Sequence, residues 1–236
     1  MKIVTSVGPN RIERQKQCIQ SWLDVGCTIT SVQSQGEAEI FKPLFPEVEF
    51  VETDLVGNLF RKPKLVRISA LLQQAVRQNI LILNSDIEVR CTPEVFKERW
   101  STPQFDELKL GIRWDENPVT KEKKLLEWGI DAFLITPAIV RRLVDVGLSM
   151  GCPAWDYWIP IVLFDQYNFK ITTNKEPELI HEEHPKNWSE RDYKIGVSIL
   201  RKACKLGSKE ASLLIREITG RPYVNKRVRK NVSKGH

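Results

Sequence analysis

Four consecutive apolar residues, Ile80, Leu81, Ile82 and Leu83, run straight into Asn84-Ser85-Asp86. A strand that is apolar at every position must be covered on both faces, which is the situation inside a parallel sheet layered by helices. This segment therefore predicts an α/β fold with a mostly parallel central sheet. In such sheets ligands bind beyond the carboxyl ends of the strands, so Asn84, Ser85 and Asp86 become site candidates by position.

The rest of the chain supplies matching units. KIVTSV (2–7) is short and β-branched, is punctuated by Gly8-Pro9-Asn10, and leads into a helix from about Arg11 to near Gly26. CTITSVQ (27–33) and VEFVET (48–53) predict two more strands. Pro63 suits the first position of a helix whose face carries Leu65, Ile68, Leu71, Leu72, Ala75 and Val76. Alternation of this kind implies right-handed βαβ units. Farther on, 109–114 and 131–136 predict strands, 137–147 a helix begun by Pro137, and 154–164 a partly helical stretch interrupted by Pro160. Short strands follow at 168–172 and 177–181. Helical patterning runs from Ser189 to about Gly220, with Gly207-Ser208 as a break. The expected organisation is an α/β domain over 1–188, a helical extension over 189–220 and a basic, flexible tail over 221–236.

Charge decides between partner classes. The chain of 236 residues carries a formal +6, but residues 221–236 hold six Lys/Arg and no acid, and the remaining 30 basic residues face 30 acidic ones. A neutral body argues against nucleic acid as the partner, and the tail is the segment suited to weak contact with an anionic membrane. The five cysteines are scattered without a CxxC pair, which fits reduced, buried thiols rather than a disulfide framework or a zinc knuckle. No apolar run approaches the roughly 20 residues of a membrane span, and the N-terminus lacks a cleavage-site pattern, so a cytoplasmic location is expected.

Period-two geometry beyond the apolar strand would aim Asn84, Asp86 and Glu88 to one side. Oxygen ligands so placed suit Mg²⁺ or Mn²⁺, which take one or two protein carboxylates together with ligand phosphates. His181 and His184, separated by two acids in LIHEEHPKNW, are further metal-ligand candidates, although the spacing is not that of HExxH.

The ILILNSDIEV run resembles the DxD region of glycosyltransferases with the GT-A (nucleotide-diphospho-sugar transferase) fold, with Asn84 in place of the first Asp. The resemblance implies a divalent metal at Asp86, a nucleotide-sugar donor gripped through its diphosphate, and a late histidine closing the metal site. Thr5, Arg11, Asp54 and Lys64 occupy places similar to those where the family contacts the nucleotide, as do Asn84 and Ser85. CPAWDYW (152–158) is similar to the family's acidic motif at a helix start. Asp156, flanked by Trp155 and Trp158, would then be the base that deprotonates an acceptor hydroxyl, and Asp131 is the second choice. The acceptor, whether glycan, lipid or protein, is not legible. Other readings are a nucleotidyltransferase, for which SVGPNRIER has too few glycines, a basic-tailed nucleic-acid-binding protein, and a non-catalytic relative of the same fold.

Overall fold

The chain opens with β1 (Lys2–Thr5), α1 (Ile12–Asp24), β2 (Thr28–Ser34), the single turn α2 (Ala38–Phe41) and β3 (Glu49–Thr53). The computed structural model describes residues 1–57, 65–176, 178–185, 188–205, 213 and 216. α1 forms as its spacing predicts, burying Gln15, Cys18, Ile19 and Trp22 on one face. The Trp22 indole donates to the carbonyl of Ile87 at 2.8 Å.

Next come β4 (Val56–Gly57), β5 (Leu65–Val66), α3 (Ile68–Leu72) with a 3-10 turn at Gln73–Ala75, and β6 (Ile80–Leu83). The helix expected from Pro63 begins only at Ile68. Leu65 and Val66 pair instead with Gly57 and Val56, and Arg67 is extended, bridging to Ser149. Cross-strand pairing outweighs the helical spacing of these apolar residues. Lys62 and Lys64 lie outside the described residues.

β7 (Ile87–Val89), α4 (Pro93–Arg99), β8 (Glu107–Glu116) and β9 (Lys123–Ile135) follow. Thr92 caps α4 by accepting from the amide of Val95, with Pro93 in the first turn. The chain continues with α5 (Pro137–Val140), α6 (Trp155–Tyr167), β10 (Lys170–Asn174), β11 (Leu179–Glu182) and α7 (Glu190–Cys204). The helix expected over 137–147 stops after its first turn. Asp145 turns the chain there by accepting from the amide of Gly147 at 2.8 Å and pairing with Arg67 at 3.0 Å. Pro160 stays inside α6, where it cannot donate to the carbonyl of Asp156.

The sheet runs β3-β2-β1-β6-β9-β8-β11-β7, with β10 also on β8. The β3-β2-β1-β6 pairings are parallel, as are β8 with β10 and β8 with β11. β9 is antiparallel to both neighbours, and β7 is antiparallel to β11. β6 sits centrally and buries all four residues. Ile80 and Ile82 enter one core layer with Phe133, Trp155, Trp158 and Leu200, whereas Leu81 and Leu83 enter the other with Trp22, Phe96 and Trp100. The two-sided cover expected of a continuous apolar strand is therefore present.

A capping box between Ser189 and Asp192 starts α7, and Leu200 and Cys204 place this helix in the first core layer. Cys18, Cys27, Cys152 and Cys204 are buried and Cys91 is partly so. Among the described residues no helix is long and apolar enough to cross a membrane. The Gly207-Ser208 break and the basic tail lie outside the described residues.

Candidate active site

Asp86 leaves β6 in a tight turn, closed by the amide of Ile87 donating to the carbonyl of Asn84 at 3.2 Å. That turn breaks the period-two register, so Asp86 and Glu88 do not act together. Glu88 is engaged by Arg14 at 2.8 Å and Arg90 at 2.7 Å. Asp86 meets two histidines brought from far along the chain. β11 lies between β7 and β8, and its register sets His181 opposite both Ile87 and Asp115.

The imidazole Nε2 atoms of His181 and His184 each stand 3.4 Å from Asp86 Oδ2. One ligand atom from each of the three residues falls within 4.8 Å of the others. The remaining ring nitrogens are also occupied. His181 Nδ1 pairs with Asp115 Oδ1 at 2.9 Å, and His184 Nδ1 with the carbonyl of Pro185 at 2.8 Å. An acceptor on Nδ1 leaves Nε2 as the atom that faces Asp86: it donates to that carboxylate here, and without its proton it would offer a lone pair to a metal. A carboxylate with two imidazoles so oriented fits a divalent cation.

Burial disfavours charge on Asp86, but hydrogen bonds from both histidines outweigh it and hold the carboxyl far below its usual range. Burial likewise opposes a charged His181, while Asp115 and Asp86 outweigh it and raise that imidazole to about 9.

The polar chain continues away from this cluster. Arg113 Nε stands 2.9 Å from Asp115 Oδ1 as an ion pair, and Arg113 Nη1 donates to Asp131 Oδ2 at 2.9 Å. Asn84 donates its side-chain amide to the other Asp131 oxygen. Two irregularities in the β8–β9 pairing build this geometry. Gly111 pairs with Ala132 and Ile112 with Ile130, which leaves Asp131 as the extra, re-aimed residue of a bulge. Farther on, Trp114 pairs with Leu125, so residues 126–129 stand against Arg113 alone. Gly129 lies close beneath Arg113, and a Cβ there would stand 3.0 Å from Arg113 Cγ and 2.8 Å from Leu126 Cδ2, so both side chains would have to shift.

Asp156 stands in the first turn of α6, after Ala154 adopts a left-handed φ of 71°. Burial, then the charge of Asp131, pushes its carboxyl up to about 8. Trp155 and Trp158, which flank Asp156 in sequence, are 4% and 2% exposed and belong to the core, with Trp155 packed on Phe133 at 5.1 Å.

The nucleotide-contact candidates spread along the carboxyl edge of the parallel strands. Thr5 ends β1 fully buried, and its hydroxyl has no hydrogen-bond partner among the described residues. Arg11, at a φ of 55°, pairs with Glu182, and one of its buried guanidinium nitrogens is also unpartnered. Asp54 is exposed after β3, Ser85 is half-buried beside Asp86, and Lys64 lies outside the described residues. The structure thus joins Asp86, His181 and His184 in one cluster and Asn84 with Asp131 in another, with Arg113 and Asp115 as the link that sequence reading missed. Their signal was two opposite charges at alternate positions near the end of a strand.

No protein-family model matches the chain, and no curated protein does. Solved structures do. The crystal structure of S. aureus TarS 1–349 in complex with UDP-GlcNAc aligns over 100% of this chain and 75% of that one, with TM-score 0.54 and 8% identity. The chain thus shares the Rossmann-like fold of that protein. TarS 1–349 alone aligns with TM-score 0.53 and 10% identity over 100% and 75% of the two chains. Its complex with UDP gives 0.52 and 10% over 100% and 76%.

Proposed function

We propose that the protein is a glycosyltransferase that moves a sugar from a nucleotide-diphospho-sugar to an acceptor hydroxyl. The observation that carries this reading is the Asp86–His181–His184 cluster at the carboxyl end of the central buried strand, on a fold shared with a protein crystallised with UDP-GlcNAc. Asp86, His181 and His184 would hold a divalent cation, which when bound neutralises charge on the leaving diphosphate. The mixed nitrogen and oxygen donors favour Mn²⁺ over Mg²⁺. The orphaned Thr5 hydroxyl and Arg11 nitrogen support a polar ligand over the end of β1, since buried polar atoms rarely go unpaired.

Asp156 is the proposed base. Its carboxyl at about 8 accepts a proton near neutrality, which a carboxylate at its usual value does poorly. The acceptor proton passes to Asp156, the acceptor oxygen bonds to the anomeric carbon, and the bond from that carbon to the nucleoside diphosphate breaks. Asn84 and Arg113 fix Asp131, whose charge helps set the basicity of Asp156. Asn84 is thereby a positioning residue rather than a metal ligand.

A thermal-shift panel of nucleoside diphosphates, with and without Mn²⁺, tests the reading. Ligands that bind the native state raise apparent stability by mass action. A uridine nucleotide should raise Tm with Mn²⁺ and much less without it. A panel with no shift under any condition sinks the proposal.

A further inference from the structure

Asp156 is not bordered by the tryptophans beside it in sequence, but other rings surround its helix. Trp128 is 43% exposed and lies in the bulged part of β9 shortly before Asp131. Tyr157 follows Asp156 in the first turn of α6, and its hydroxyl donates to the carbonyl of Trp128 at 2.6 Å. Trp188 and Tyr193 stack with centroids 5.8 Å apart and planes at 21°.

That stacked pair brackets the capping box of α7, where a ring before the cap and one in the next turn form a hydrophobic staple. The staple fixes both rings, yet Tyr193 remains 49% exposed. α7 is seated on the turn that leads into α6. A Cβ on Gly196 would stand 2.2 Å from the carbonyl oxygen of Pro153, so only glycine permits the contact. Tyr193 lies about one helical turn from that contact. Burial, then Asp156, Asp131 and Tyr193, all raise the Tyr157 phenol, which places these groups within electrostatic reach of one another.

Resting on the reading of Asp156 as base, we infer that Trp128, Tyr157, Trp188 and Tyr193 form the acceptor platform and that the acceptor is a carbohydrate. A sugar ring has an apolar C–H face and a hydroxyl edge. Aromatic rings with polar tips match both, the ring surface under the face and the phenol and indole groups at the edge. A lipid acceptor calls for a continuous aliphatic groove, whereas this surface is aromatic and lies beside Asp156. The nucleotide end lies elsewhere, past β1 and β6, at the far end of the chain that runs from Asp86 through Arg113.

Saturation-transfer NMR on the full chain, with cellotetraose, maltotetraose and chitotetraose at millimolar concentration, tests this. At least one oligosaccharide should receive saturation through its ring protons. Tyr193→Ala should weaken that binding by about 3- to 10-fold, the worth of an aromatic stacking contact. Tyr193→Phe should keep most of the binding that Tyr193→Ala loses, because the ring provides the face and the hydroxyl adds only an edge contact. Trp128→Ala should give a similar loss without touching the α7 staple, which covers the case of a misfolded Tyr193 variant. Transfer to none of the three sugars, or unchanged binding in both alanine variants, overturns the inference. Transfer to dodecyl phosphate micelles in place of the sugars overturns it in favour of a lipid. Sugar binding at the platform in a protein that binds no uridine nucleotide keeps the carbohydrate site but sinks the transferase reading.

Discussion

Asp86 and Asp156 stand at opposite ends of one run of polar side chains, and burial works against charge at both. At Asp86 two imidazoles reverse that effect and keep the carboxylate an anion. At Asp156 the neighbouring charge is another carboxylate, Asp131, so burial and neighbour act together and the group rises to about 8. The same residue type is thus held in two charge states by its partners: a fixed anion, as the proposed cation site needs, and a carboxyl raised toward neutrality, as the proposed base needs. Arg113 pairs with both Asp115 and Asp131 and so links the two environments.

The comparison breaks most visibly at Asp156. Asp156→Asn keeps shape but removes the proton-accepting charge, and turnover should fall by about 10²–10⁴-fold with nucleotide binding intact. In the native protein the rate should climb with pH and level off above about 8, and the variant should lose that limb. Nucleotide affinity falling in step with turnover would put Asp156 in the donor site instead. At the other end, Asp86→Ala should weaken Mn²⁺-dependent binding of UDP by about 100-fold or more, as expected when a metal ligand rather than its outer support is removed. Calorimetry with and without Mn²⁺ reads this directly, and an unchanged isotherm would remove Asp86 from the metal site.

Smaller effects sharpen the role of the link. Arg113→Met leaves Asp115 and Asp131 without their guanidinium and should cost roughly 2–4 kcal/mol in urea unfolding, given that one charge is removed from a partly buried network. Little or no loss would mean that the two carboxylates find other partners. The smallest effect concerns stability and has the opposite sign. The folded state holds the Asp156 proton more tightly than the unfolded chain does, so stability declines as pH rises from about 4 to about 8. Asn carries no such proton, and Asp156→Asn should melt about 2–4 °C above the native protein at pH 8, with the gap closing toward pH 4. A variant that melts lower at pH 8 would mark Asp156 as a structural cap.

How much of this could be read in advance follows from which contacts are local. The continuous apolar run of Ile80–Leu83 specifies a buried strand whatever surrounds it, so β6 and the placing of Asp86 at its end were legible. The two histidines could be named but not joined to Asp86, because that depends on β11 entering between β7 and β8, a long-range pairing. Arg113 and Asp115 look like surface charges on a strand until the bulges of β9 turn Asp131 toward them. Leu65–Val76 has helical spacing, yet Leu65 and Val66 gain more from pairing with Val56 and Gly57. Trp155 and Trp158 flank Asp156 in sequence, but neighbours in a helix point to different faces, and theirs is the core.

The central claim is that binding and proton transfer occupy separate ends of this network. Side-by-side calorimetric titrations of UDP in Mn²⁺, on the native protein, Asp86→Ala and Asp156→Asn, test it most directly. The account predicts that the first variant loses the binding heat and the second retains native affinity. Equal loss in both variants, or binding in all three that ignores Mn²⁺, would contradict it.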